Sequence, residues 1–145
     1  MDISKITTYQ SGVVQASAFR NLNKHFSTLL KEHDLTCMQW FVVGTILDAG
    51  EAGIKLTDLA HSLQTGLPFI TNITNLLESK GMVVRRDDEK DSRSKFVSIV
   101  PAFVPECADI ERRLREKMRK SIYQNITADE LRTYIKVLYQ LSKLT

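Results

Sequence analysis

The sequence predicts a mainly α-helical domain that carries one small β-hairpin, and three observations predict it. Apolar residues recur at three- and four-residue steps through most of the chain. Capping threonines, prolines and glycines mark where those stretches begin and end. Only one region, about 82–100, holds two adjacent β-prone runs around a charged turn. With 145 residues and 43% hydrophobic side chains, the chain has the size of one compact domain, so residues 1–145 are read as a single domain with its own core.

The first periodic stretch starts near Thr8, where Phe19, Leu22, Phe26, Leu29 and Leu30 share one face of a long helix that should end near His33 and Asp34. Thr36 followed by Gln39 then reads as a capping box: the threonine oxygen accepts a free backbone N–H and the glutamine reaches back to the cap. The helix it opens, 37–47, is apolar nearly all round through Trp40, Phe41, Val43, Ile46 and Leu47, which predicts the buried hub of the domain. Gly50 and Gly53 punctuate the next turn. Ile54, Lys55 and Leu56 suit a very short strand before a third helix carrying Leu59, Ala60 and Leu63.

After the break at Gln64, Thr65 and Gly66, a fourth helix is expected over about 67–80. Pro68 suits its first turn, where a missing N–H costs nothing, and Gly81 suits the left-handed residue past its end. Ile70, Ile73 and Leu77 make its buried stripe and leave Thr71, Asn72, Asn75 and Ser79 pointing elsewhere. Residues 82–86 and 95–100 read as strands flanking the charged tip 87–94. Pro101 and Pro105 open a fifth helix with the apolar line Phe103, Cys107, Ile110, Leu114, Met118 and Ile122 and a densely charged opposite face. A last helix begins at the capping box of Thr127 and Glu130 and carries Leu131, Tyr134, Ile135, Leu138 and Leu141.

Two short helices separated by a tight turn and followed by a hairpin with a charged tip are the plan of a winged helix-turn-helix, here set between longer helices at both ends. In that plan the helix at 67–80 enters the major groove of DNA, and the wing at 82–100 reaches the backbone or the adjacent minor groove. Thr71, Asn72 and Asn75 offer hydroxyls and amides that donate and accept at base edges. Arg85, Arg86, Arg93 and Lys95 suit phosphates and a narrow minor groove. Because Arg85 and Arg86 alternate along a strand, one is expected to face DNA and the other to pair with a carboxylate such as Asp87 or Asp91.

The ordered set of stretches 35–40, 56–60 and 77–85, together with Asp91-Ser92-Arg93 in the wing, resembles the MarR family of bacterial winged helix-turn-helix transcriptional regulators. The resemblance runs from about residue 10 to the end. It implies a double-stranded operator DNA as partner, a homodimer formed through helices at 8–34 and 102–145, and a DNA-binding lobe at 36–100. It further implies that Arg93 enters the minor groove while Asp91 holds nearby basic groups in place, and it brings Pro68 into the DNA-binding set with Thr71, Asn72, Asn75, Arg85, Arg86 and Lys95. The implied function is that of a dimeric repressor released by a small-molecule effector, and not that of an enzyme. A small aromatic or phenolic effector would lodge where the dimerisation helices meet the DNA-binding lobe, and Arg20, His25, Phe26 and Trp40 are the candidate lining. Two features depart from the family pattern. Ser98-Ile99-Val100-Pro101 stands where a Leu-Thr pair and a glycine are usual, and the recognition helix holds no arginine.

Charge sharpens the expectation. The formal net charge is +3, yet residues 55–95 hold seven basic against six acidic side chains, so any affinity for DNA rests on a few placed arginines rather than on a basic surface. No apolar stretch is long enough to cross a bilayer and the N-terminus has no secretory plan, which predicts a cytoplasmic protein. His25, His33 and His61 have no i, i+4 spacing and no cysteine cluster beside them, so neither a metal nor a cofactor is expected. Cys37 and Cys107 read as packed thiols. Three alternatives stay open: a regulator independent of ligand, a redox-responsive one, and a winged-helix module used for protein contact.

Overall fold

A computed structural model describes residues 1–145 and contains six α-helices and a three-stranded sheet. The helices are α1 (Thr8–Leu30), α2 (Cys37–Asp48), α3 (Leu56–Ser62), α4 (Leu67–Ser79), α5 (Val104–Ser121) and α6 (Ala128–Leu141). Three capping boxes set their starts. Thr7 with Gln10 opens α1, Thr36 with Gln39 opens α2 and Thr127 with Glu130 opens α6, each threonine oxygen accepting the N3 backbone N–H while the N3 side chain accepts from the cap N–H. Between α1 and α2 the chain tightens into a 3-10 turn and reverses at Asp34, whose φ of 55° is left-handed.

The strands are β1 (Ile54–Lys55), β2 (Val83–Asp87) and β3 (Lys95–Ile99), all antiparallel, with β3 in the middle. Val83 faces Ile99 and Asp87 faces Lys95 across the hairpin, while Ile54 faces Val97 on the other side. The first hairpin strand therefore starts one residue later than the sequence suggests, and Leu56 begins α3 instead of closing β1. Pro101 starts a 3-10 turn, so the α-helical hydrogen bonding of α5 begins at Val104.

The core lies where α2 meets α3, α4, the sheet and the start of α5. Val42, Val43, Ile46, Leu59, Ile70, Leu77 and Val97 are fully buried there. Two details differ from the sequence reading. Phe41 is 41% exposed, because it leaves the core side of α2 and stacks on Phe26 of α1 with ring centroids 6.2 Å apart. In α4 the buried line is Ile70, Thr74 and Leu77, while Ile73 is only half-buried. The spacing i, i+4, i+7 favours this line, and the γ-methyl of Thr74 packs as an aliphatic group although its hydroxyl has no partner.

Only 19 residues are buried, and all of them lie between Leu30 and Leu114. Most of α1 and all of α6 therefore stand outside the core of the single chain. Their apolar faces are open: Tyr9, Val13, Val14 and Phe19 on one helix, and Tyr134, Ile135, Leu138 and Leu141 on the other.

Candidate nucleic-acid interface

The turn between α3 and α4 is built on Gln64, which takes a positive φ of 51°, and on Gly66, which precedes α4 in extended conformation. No side chain caps α4, and Pro68 occupies its first turn, where it removes one N–H that would otherwise lack an intrahelical acceptor. With Ile70, Thr74 and Leu77 facing the core, the opposite side of α4 is centred on Asn72. Pro68, Asn72, Asn75 and Ser79 are exposed on it. Thr71 is half-buried, and its hydroxyl donates to the carbonyl of Leu67 at 2.9 Å, which leaves it only as an acceptor toward anything outside.

The same surface carries side chains absent from the sequence reading. Phe69 and Leu76 are 47% and 45% exposed. Phe69 and Leu76 lie seven residues apart and so fall in one line beside Asn72. The signal was present in the sequence, since both residues are apolar and fall off the buried stripe.

The wing sits against the C-terminal end of α4, and its basic residues divide into two groups. Arg85 and Arg86 project to opposite faces of β2, and both are engaged. Glu78 in the last turn of α4 accepts the backbone N–H of Arg85 at 3.1 Å, its Nε at 3.3 Å and one Nη at 3.1 Å. These bonds hold the Glu78 carboxyl below its ordinary range, the guanidinium hydrogen bond being the main cause. Arg86 donates to the carbonyl of Ala52 in the turn before β1 and lies 5.1 Å from the centroid of Phe96. Neither arginine pairs with Asp87 or Asp91, as the sequence had suggested for one of them. Strand alternation carries Arg85 toward α4, where the nearest carboxylate is Glu78, and Asp87 is taken by Lys95 across the hairpin.

At the tip, Asp88 accepts the N–H of Lys90 at 3.0 Å and pairs with Lys55 at 3.4 Å; the backbone bond is the main cause of its lowered pKa. Asp91 accepts the N–H of Arg93 at 3.0 Å and approaches the hydroxyl of Ser94 at 3.5 Å. In this structure Asp91 thus holds the backbone of the turn and not a basic side chain, because an aspartate oxygen reaches the amide two residues on within an Asx-turn. The side chains of Lys90 and Arg93 make no hydrogen bond or ion pair, and both residues are exposed. Lys90 was not among the sequence candidates.

The four effector candidates do not converge. Arg20 is exposed and donates to Ser17 at 3.4 Å, His25 is exposed, and Trp40 is half-buried against the core. Phe26 alone lines a cavity of about 540 Å³ between α1, α5 and α6, together with Leu114, Met118, Arg119, Tyr123 and Leu131. Burial raises the Tyr123 hydroxyl above its ordinary pKa. Five residues separate Arg20 from His25, which places them about 140° apart around α1 and explains why they cannot share a lining. No three His, Cys, Asp or Glu side chains are grouped as metal ligands, and no helix is long and apolar enough to cross a membrane. Of the thiols, Cys107 is buried and its pKa is pushed up to about 11 by that burial. Cys37 lies in the first turn of α2, its Sγ 3.1 Å from the Ser27 hydroxyl.

Comparison with known proteins places these features. Residues 35–95 match the model of the MarR family. The multiple antibiotic resistance protein MarR of Salmonella typhimurium is 29% identical over 114 residues, which cover 79% of this chain and 75% of that protein. The fold matches a mutant MarR from E. coli complexed with operator DNA at a TM-score of 0.75 and 23% identity, over 94% of this chain and 99% of that one. It matches the S. aureus MepR–DNA complex at 0.72 and 20% identity, over 89% and 97%. A MarR family regulator from Rhodococcus sp. RHA1 matches at 0.85 with 16% identity, over 97% and 98%.

Proposed function

We propose that this chain, whose residues 35–95 match the model of the MarR family, is a sequence-specific DNA-binding transcriptional regulator that works as a dimeric repressor and is released by a small-molecule effector. One observation carries the reading. A helix preceded by a tight turn exposes Asn72 and Asn75 on the side opposite the core, and the adjoining wing ends in two cations, Lys90 and Arg93, that nothing in the protein engages. The relatives complexed with DNA support the same use of this fold. In this reading α4 enters the major groove and places Pro68, Thr71, Asn72 and Asn75 toward it, while Arg93 reaches into the minor groove. Asp91 keeps the tip in the shape that presents Arg93. Arg85, Arg86 and Lys95 set the wing's geometry in the free protein, and Lys95 is the one of the three that reaches phosphate most readily by giving up a solvent-exposed ion pair.

The dimer would form through the helices at 8–34 and 102–145, and the DNA-binding lobe spans 36–100. Support comes from the open apolar faces of α1 and α6: no residue on those faces belongs to the buried core of the single chain, and the faces are too extensive to leave to water. The effector would be a small aromatic or phenolic compound acting on the spacing of the two lobes, and it must bind one spacing better than the other to shift the balance. The protein performs no chemistry of its own in this reading and resides in the cytoplasm.

A mobility-shift assay with duplexes selected from a random library, run at two salt concentrations, tests the proposal. Specific retardation that weakens by several charges' worth of salt dependence is the expected result. No binding at low salt by a protein shown to be folded and dimeric would overturn it and favour a winged-helix module for protein contact.

A further inference from the structure

We propose that Phe69 and Leu76 read thymine methyl groups on either side of Asn72, so that the operator half-site is specified by a short run of A·T pairs; the inference rests on α4 being the helix that enters the major groove. Both side chains are large, apolar and nearly half exposed on the one helix of the DNA-binding lobe whose outer face is otherwise small and polar. On an α-helix Phe69 lies about 60° from Asn72 and Leu76 about 40° from it, both on the same flank and one turn before and one turn after it along the axis, while the core-facing Ile70, Thr74 and Leu77 occupy the opposite face. Along the axis the two apolar residues are roughly 10 Å apart, or about three base-pair steps.

The chemistry of the groove then selects the partner. Of the groups that base pairs display in the major groove, only the C5 methyl of thymine is apolar. A phenyl ring or an isobutyl group placed against a G·C pair would strip water from O6, N7 or N4 and return no hydrogen bond, which is a penalty. Against thymine the same contact removes apolar surface from water on both sides. Asn72, between them, has the amide that pairs with N6 and N7 of adenine, so all three residues favour the same base pairs. The absence of arginine from α4, the residue type that most often reads guanine, agrees with this selection.

Replacing thymine by deoxyuridine removes only the methyl group and leaves every hydrogen bond in place, which makes it a direct probe. Duplexes are first selected from a random library with the full-length protein, and single thymines of the recovered half-site are then replaced. The wild-type protein should bind roughly fourfold more weakly for each contacted methyl removed, as expected for one buried methyl. Phe69→Ala should abolish the penalty at one position and Leu76→Ala at another, while each leaves the other position sensitive. The wild-type measurement needs no variant and so stands even where a variant folds poorly. Half-sites without A·T pairs opposite α4, indifference to deoxyuridine, or an unchanged penalty in both variants would each overturn the inference while leaving DNA binding intact. Failure of any library duplex to bind would overturn the DNA-binding reading along with it.

Discussion

Replacing Arg93 with alanine removes a side chain whose role in the free protein is nil, and that makes it the sharpest probe of the wing. Its guanidinium has no hydrogen-bond or ion-pair partner, and only its backbone N–H is held, by Asp91 at 3.0 Å. Stability should therefore change by no more than about 0.5 kcal/mol, the usual range for an exposed residue away from caps and cores. A side chain that enters the groove contributes roughly 1 to 3 kcal/mol to binding, so affinity for a selected operator should fall between about fivefold and 150-fold for each wing engaged. The salt dependence should flatten by about one charge per wing, since each neutralised phosphate contributes a slope near 0.9. Fluorescence anisotropy over a series of salt concentrations measures both quantities, and thermal denaturation supplies the control. Asp91→Ala keeps the guanidinium but loses the bond that shapes the turn, so its loss should be smaller, on the order of 0.5 to 1.5 kcal/mol. Unchanged affinity and unchanged slope in a folded, dimeric Arg93→Ala protein would refute the assignment.

Three further outcomes test the frame around the wing. Glu78→Gln breaks the brace between α4 and β2 and should cost about 1 kcal/mol at neutral pH, the upper end for a partly exposed pair, because one carboxylate holds three N–H groups. The Glu78 pKa is lowered in the folded protein, so its contribution is present above the ordinary carboxylate range and is lost as pH falls through the depressed value. Denaturation curves of wild type and variant should converge in acid, and a gap that persists at low pH would argue against an ionic brace. Gly53→Ala places a methyl carbon 2.5 Å from the carbonyl oxygen of Val97 at a φ of 75°, and should destabilise the sheet by roughly 1 to 3 kcal/mol as read by chemical denaturation. Thiol labelling of the native protein should modify Cys37 well before Cys107, which is buried and whose thiol is pushed up to about 11; equal rates would mean that α5 opens readily.

Much of the fold was legible because its signals are local. The capping threonines at 36 and 127, Pro68 and Gly81 each act within one turn of backbone, and the structure has helix ends beside all four. Thr74 was missed because residue type hides which part of a side chain packs: its methyl group meets the core, and the polar label conceals that. Phe69 and Leu76 fall off the buried stripe in the sequence as well, but that they stand nearly half exposed beside Asn72 is seen only once the packing of α4 is known.

The candidate site was legible in outline and not in its pairing. Sequence spacing could say that Arg85 and Arg86 point to opposite sides of a strand, because the side-chain period of a strand is two. It could not say that one side holds Glu78 and the other Ala52 and Phe96, because those partners lie 7, 34 and 10 residues away and are set by how β2 docks on α4 and β3. The order of helices and the hairpin were therefore determined by the sequence alone, through periodicity and capping, and the likeness to a regulator family by the ordered stretches at 35–40, 56–60 and 77–85 with Asp91-Ser92-Arg93. Which cations remain unengaged, and which apolar residues face outward, was decided only by tertiary packing, because an ion pair or an exposed face depends on neighbours that the chain brings together from a distance.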